Sequence, residues 1–316
     1  MVALVKNAAV PAIKAAGQQV RGMATEKQIA AGLIPGAPIF TVQMRIVATS
    51  NIAKITKSMK MVSAAKMRGA ENRLMAGRPF VAWLDNTSGK HRIVEKDGVV
   101  PKEELEGENN LFFVVSTDRG LCGGINSGIA KTVRKQFAAF DRANSDVIVL
   151  GDKGRAQLRR DFADVIRASA TEAYANPPTF TVASAIAELV IGSARENEKV
   201  HVVYNKFISA IAYLPSVRSL AVSPTSEDWD QYELEPEDKN ELLADLKEFE
   251  IATAIFHGIV ENSTSEESSR MAAMENATNN AQDLIQSLTL VYNKARQSRI
   301  TTELIEIISG AASLDG

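Results

Sequence analysis

Met271-Ala-Ala-Met274-Glu-Asn-Ala-Thr278-Asn-Asn-Ala281-Gln-Asp-Leu-Ile285-Gln-Ser-Leu288-Thr-Leu-Val-Tyr292-Asn-Lys-Ala295 decides the architecture of this 316-residue chain. Met271, Met274, Thr278, Ala281, Ile285, Leu288, Tyr292 and Ala295 alternate at spacings of three and four, which keeps one narrow helical seam facing a partner. No proline follows Pro236, and Gly258 and Gly310 are the only glycines before the final residue. A single helix over 237–312 is therefore expected. At about 1.5 Å rise per residue, some 75 residues would reach on the order of 110 Å, beyond the diameter of a compact domain. Such a rod must leave the globular body.

The end of that rod carries Ile300, Leu304, Ile305, Ile307, Ile308 and Leu314. These are read as spread around the circumference, and a helix apolar all round expects enclosure. Left open, the tip would be an unusually large oily surface, so a socket made by other chains is expected.

A second long helix is expected over 41–85, with Thr41 as N-cap and Pro79 as a possible kink. Ile52, Ile55, Met59 and Val62 suggest its seam. Two seams at opposite ends of one chain can zip as antiparallel helices, each buried Ile, Leu or Met contributing roughly 1.5–3 kcal/mol. An intramolecular pair removes the need for a homodimer, the other reading of a coiled coil.

Composition excludes several classes. The formal net charge is -2, with no global signal for nucleic acid. No run of eighteen apolar residues is present, so no membrane span is expected. Charge is uneven, however: 45–78 carries eight Lys and Arg against Glu71, whereas 227–250 is rich in Asp and Glu. A basic rod can track acidic partner loops. The lone cysteine, Cys122, allows no internal disulfide, and His91, His201 and His257 form no metal-ligand spacing. Residues 1–24, with Lys6, Lys14 and Arg21 and no acid before Glu26, read as a mitochondrial targeting peptide.

Between the helices, after a polar linker from Asn86 to Asn110, residues 110–222 read as an α/β domain. Strands are expected at Leu111–Ser116, Val147–Leu150 and from Val200 on toward Leu214, with helices at Ile125–Phe140, Lys153–Arg160 and Val182–Ala194. The overall class is α/β: a long antiparallel coiled coil of terminal helices plus a Rossmann-like domain. The turn Asp118-Arg-Gly-Leu-Cys-Gly-Gly-Ile-Asn126 is where a phosphate cradle would sit, but its spacing is not GxGxxG, and Gly151-Asp-Lys-Gly-Arg155 lacks the lysine-hydroxyl pair of a P-loop. No GxSxG elbow is present. The chain therefore reads as non-catalytic and without a cofactor.

Four stretches carry a family resemblance: Asn51 to Arg68, Ser116 to Asn126, Tyr204-Asn-Lys-Phe207 and Val291 to Ala312. Together they resemble the gamma subunits of F-type ATP synthases, in order over about 41–312. The resemblance implies a central rotor shaft whose coiled coil turns inside a hexameric ring of alpha and beta subunits and passes proton-driven rotation of the membrane ring to the catalytic head for ATP synthesis. It implies a foot against the small delta and epsilon stalk subunits and the c-ring, one copy per complex, on the matrix side of the mitochondrial inner membrane.

Carried over residue by residue, the resemblance places Met59, Lys60, Cys122, Glu266, Arg270, Arg296, Gln297, Ile300, Thr302, Leu304 and Ile308 at the alpha/beta interface, and Trp229, Tyr232 and Glu233 at the foot. Met59 and Lys60 would face an acidic lever of beta, Glu266 and Arg270 would couple to it, and Arg296 with Gln297 would form a catch. A coiled-coil tether without a motor role is the competing reading.

Overall fold

The computed structural model describes residues 39–83, 92–93, 109–138, 140–173, 177–195, 198–222 and 239–314. The targeting segment, most of the linker, and Trp229, Tyr232 and Glu233 lie outside the described residues. Two long helices, α1 (Ile39–Val81) and α5 (Lys239–Leu314), enclose in sequence a six-stranded sheet. Thr41, expected as the N-cap of α1, lies inside that helix. Pro79 sits in its last turn, where the bond it cannot give to Met75 O is lost close to the end of the helix, with only Phe80 and Val81 beyond it. The described chain divides into two compact units, one comprising 62–273 and the other 39–61 with 274–314.

In the first unit the strands are β1 (Arg92–Ile93), β2 (Asn109–Val115), β3 (Ser145–Leu150), β4 (Ile166–Ala170), β5 (Glu198–Phe207) and β6 (Tyr213–Ala221). Their order is β1-β6-β5-β2-β3-β4; β5, β2, β3 and β4 run parallel, and β6 and β1 are antiparallel additions. Helices α2 (Ile125–Phe137), α3 (Asp152–Phe162) and α4 (Phe180–Gly192) connect them. Strand β2 is the hydrophobic run Leu111-Phe-Phe-Val-Val115, buried on both faces as a central parallel strand must be. Leu111, Phe113 and Val115 pack toward α4 and α5, while Phe112 and Val114 pack toward Ile129, Val133 and Phe137 of α2 and Leu158 and Phe162 of α3. The period-two alternation of strand side chains thus assigns one set to each layer.

Two expectations need correction. The strand read from Val200 toward Leu214 is a hairpin. It breaks at 208–212, where Ile208 N and Ser209 N both donate to Ala212 O at 3.1 and 3.0 Å, and returns as β6. Pro215 is tolerated in β6 because, among the described residues, β1 pairs with β6 at Ser216 and Val217 and not at Pro215. Strand β4 was not anticipated: Ile-Arg-Ala-Ser-Ala has little of the β-branched or aromatic character that marks strands, and it lies half-buried at the sheet edge.

In the second unit, Thr56 Oγ1 lies 2.8 Å from Thr278 Oγ1 and Lys60 Nζ lies 2.7 Å from Glu275 Oε1. Numbering rises on α1 as it falls on α5, so the two segments are antiparallel. On α5 the buried residues Met274, Ala281 and Leu288 fall on the expected seam. On α1 the seam is a different set. Val42, Thr49 and Thr56 are buried at strict seven-residue intervals, a spacing that Ser63 and Ala70 continue in the first unit, whereas Ile52, Ile55 and, in the first unit, Val62 are more than half exposed and Met59 is only half-buried. Close helix approach selects small side chains and leaves the bulky ones facing out.

Candidate functional site

The outward-facing side of α1 in the second unit is the first functional surface. Phe40, Met44, Val47, Ile52, Ile55 and Met61 are each at least half exposed. With about 100° of rotation per residue, Phe40, Met44, Val47 and Ile55 share one face, opposite Val42, Thr49 and Thr56. Soluble surfaces rarely carry so continuous an apolar strip without a partner to cover it. The helix therefore has two faces, one small and hydroxyl-bearing for α5 and one oily for something else.

The end of α5 supplies the second surface. Every residue from Arg296 to Leu314 is exposed, including Gln297, Thr302, Ile300 at 50%, Leu304 at 52% and Ile308 at 61%. The apolar side chains occupy about half the circumference rather than all of it, because Thr302, Glu303, Glu306 and Ser309 fill the other half. Arg299 and Glu303 pair at 2.7 Å on that polar half, while Thr301 and Thr302 return their hydroxyls to Gln297 O and Ser298 O. The hydroxyls spend their protons on their own helix, so they offer few demands to a surrounding wall.

Three of the expected contact residues are internal. Cys122 is 3% exposed, its thiol beside Thr117 Oγ1 and Asn126 Nδ2, and burial pushes that thiol above its ordinary pKa. The residue the turn presents is its neighbour Leu121, 62% exposed and held at φ 62° in the left-handed region. The turn is pinned by Ser269 Oγ donating to Cys122 O at 2.6 Å and by Thr117 Oγ1 donating to Arg119 O at 2.9 Å. Glu266 and Arg270 are each 6% exposed and paired with each other, and Arg270 also reaches Glu267 at 2.7 Å. Burial raises the Glu266 carboxyl above its usual range, with Arg270 offsetting part of that rise. In this chain the Glu266–Arg270–Glu267 pairs brace α5 beneath the turn.

A group that sequence reading missed is Glu261. Its carboxylate accepts from Phe207 N at 2.7 Å, from Arg78 Nη2 at 3.2 Å and lies 3.3 Å from His257 Nε2. Arg78 also donates to Phe207 O at 3.0 Å. One buried carboxylate thus ties α1, α5 and the end of β5. Burial alone would raise its pKa, but His257, the Phe207 amide and Arg78 outweigh that and hold it below the usual carboxylate range. Spacing could not reveal this group, since its partners come from three distant stretches.

The place where an open α/β sheet ordinarily receives a ligand is beside β2 and β5, where the strand order reverses. Here α5 fills it: Asn262 Nδ2 donates to Ser116 O, Asn205 Nδ2 to Asn262 Oδ1 at 2.9 Å, and Ser265 Oγ to Asn205 O at 3.0 Å. The second glycine turn is closed by packing. A Cβ at Gly154 would lie 2.2 Å from Ser116 Oγ, and Gly151 sits at φ 105°. Among the described residues no cluster of His, Cys, Asp and Glu could hold a metal ion, and no helix is long and apolar enough to cross a membrane. An apolar cavity of about 880 Å³ does lie between α4 and β3–β4.

Comparison with known proteins gives a consistent answer. A family model described as ATP synthase matches residues 39–314. The mitochondrial ATP synthase subunit gamma of Drosophila melanogaster is 40% identical over 297 residues, covering 94% of this chain and 93% of the fly protein. The Rattus norvegicus mitochondrial ATP synthase F(1) complex subunit gamma is 36% identical and covers 88% of this chain and all of its own. Among solved structures, a chain in the central stalk and c-ring of the Tetrahymena thermophila mitochondrial ATP synthase superposes with a TM-score of 0.57 at 28% identity, covering 71% of this chain and 99% of that one. A rotor chain of the Euglena gracilis mitochondrial enzyme, at 20% identity and a TM-score of 0.67, covers 83% of this chain and 98% of its own and shares the fold. With its terminal helices paired antiparallel and a Rossmann-like domain between them, the chain belongs to the ATP synthase gamma-subunit family.

Proposed function

We propose that this chain is the central shaft of a mitochondrial F-type ATP synthase, turning as a single copy inside a hexameric ring of alpha and beta subunits. It is a non-catalytic subunit. The observation that carries the reading is the pair of apolar surfaces on one antiparallel helix pair, the outer face of α1 and the bare tip of α5, both at least half exposed in the isolated chain. Dispersion contacts are individually weak and re-form at many angles, so an oily rod can turn in an oily sleeve. A desolvated ion pair in the same place would cost about 3–5 kcal/mol to break and would trap one orientation. Arg296, Gln297, Met59 and Lys60 lie on or near this rod surface, and Leu121 presents a further apolar contact from the first unit.

The foot of the shaft is assigned to the α/β domain with Trp229, Tyr232 and Glu233, meeting the delta and epsilon stalk subunits and the c-ring on the matrix side of the inner membrane. The test is to introduce Leu304→Asp with Ile308→Asp and measure coupled ATP synthesis in the assembled complex. A shaft loses synthesis at least tenfold, because two carboxylates must enter the apolar sleeve or drag the tip out of it. A tether would retain it.

A further inference from the structure

Lys60, which the family resemblance sets against an acidic lever of a partner, has an acidic partner within its own chain. Its ammonium faces Glu275 of the same chain at 2.7 Å, and one helical turn away Thr56 Oγ1 meets Thr278 Oγ1 at 2.8 Å. Each hydroxyl has one proton to give. Thr278 Oγ1 donates to Met274 O at 2.7 Å, so the hydroxyl contact is made by the Thr56 proton, whose own-helix alternatives at Ile52 O and Ala53 O are both longer, at 3.1 Å. The result is a directed polar cluster within a seam of small side chains, in which Thr49 and Ser63 supply further hydroxyls.

That seam does little to fix its own register. Antiparallel counting from Thr56–Thr278 sets Ala53 opposite Ala281, Thr49 opposite Ile285 and Ile46 opposite Leu288. Sliding by seven residues would bring Thr278 to Thr49 or Ser63, so a hydroxyl would still find a hydroxyl. The same slide would bring Glu275 to Ala53 or Met67 and Lys60 to Ser268 or Gln282. Within the second unit the charge pair is the contact of this seam that tells the observed register from its seven-residue neighbours, while in the first unit Arg78 and Glu261 tie the same two helices. Ion pairs flanking a coiled-coil seam set partner choice and alignment even where they add little stability.

We propose that Lys60 and Glu275 form the register key of the second unit, and that Lys60 acts on coupling through Glu275 rather than by touching a partner subunit. The proposal rests on the shaft reading for its effect on coupling but not for its effect on register. Lys60 is a positioning residue on this account: it holds the two helices at the alignment that places the outer face of α1 and the tip of α5 in fixed phase.

The experiment is a charge swap in the assembled ATP synthase, using Lys60→Glu, Glu275→Lys and the double K60E/E275K. Register is read from disulfide formation in an added Ala53→Cys/Ala281→Cys pair, and coupling from the ratio of ATP-driven proton pumping to ATP hydrolysis. Each single reversal is expected to lower disulfide yield and coupling ratio roughly five- to tenfold, since like charges then face each other across the seam. The double swap restores both. A double swap as defective in coupling as Lys60→Glu alone overturns the proposal, because Lys60 would then be acting on a partner; so does an unchanged disulfide yield in both single variants. Disulfide yields that fall and recover while coupling never changes would leave the register key standing and remove the shaft reading instead.

Discussion

His201 shows how a single residue links this fold to pH. It is fully buried in β5, with Nε2 3.0 Å from Asn110 Oδ1 and Nδ1 2.8 Å from Ser219 Oγ. An amide oxygen can only accept, so Nε2 carries the proton and Nδ1 accepts from the serine hydroxyl. Burial, with Lys199 adding repulsion, lowers the imidazole pKa to about 3. The unfolded chain therefore binds a proton near pH 6.5 that the folded chain refuses. Stability from this residue is complete above that pH and falls as pH drops toward 3, by about 2 kcal/mol between pH 7.5 and 5. Urea denaturation of the purified chain at those two pH values should show the loss, and His201→Gln should flatten it. Glu261 adds its own loss lower down: its depressed carboxyl contributes above the unfolded value of 4.5 and gives way as pH falls through its native pKa.

Among the elements, the joints are the sensitive places. Glu261→Gln leaves Arg78 and the Phe207 amide without their carboxylate and should destabilise the chain by about 3 kcal/mol in equilibrium unfolding. Gly154→Ala drives a methyl into Ser116, 2.2 Å from its hydroxyl oxygen, so the end of β2 and α3 must separate, at a cost of about 1–3 kcal/mol. Gly128→Ala on α2 meets nothing within 4 Å and should stabilise by about 0.5–1 kcal/mol. Thermal melts of the two variants should move in opposite directions.

The same elements show what the sequence could tell. The α5 seam was legible because its apolar residues repeat over many turns, and the sheet centre because Leu111 to Val115 is an unbroken hydrophobic run. The seam of α1 was misread for a physical reason. Its inner positions are Thr49, Thr56 and Ser63, and its most apolar residues, Ile52, Ile55 and Val62, face outward. A pattern search for hydrophobic spacing finds the oily face and assumes it is the inner one. Strand β4 escaped because alanine and serine at an edge carry no strand signal, and the buried positions of Cys122, Glu266 and Arg270 depend on how α5 meets the β2–α2 turn, which no local pattern encodes.

For the whole molecule, function depends on surfaces that the chain alone leaves open. A soluble monomer would be expected to cover Phe40, Val47, Ile55, Leu304 and Ile308, and here they remain at least half exposed. The central claim is that a single copy of this chain supplies the axle for three alpha and three beta subunits. The intact mass of the native complex tests it most directly. The account predicts one copy of this chain for every three of each larger subunit, and two copies, or a homodimer recovered from native material, would contradict it.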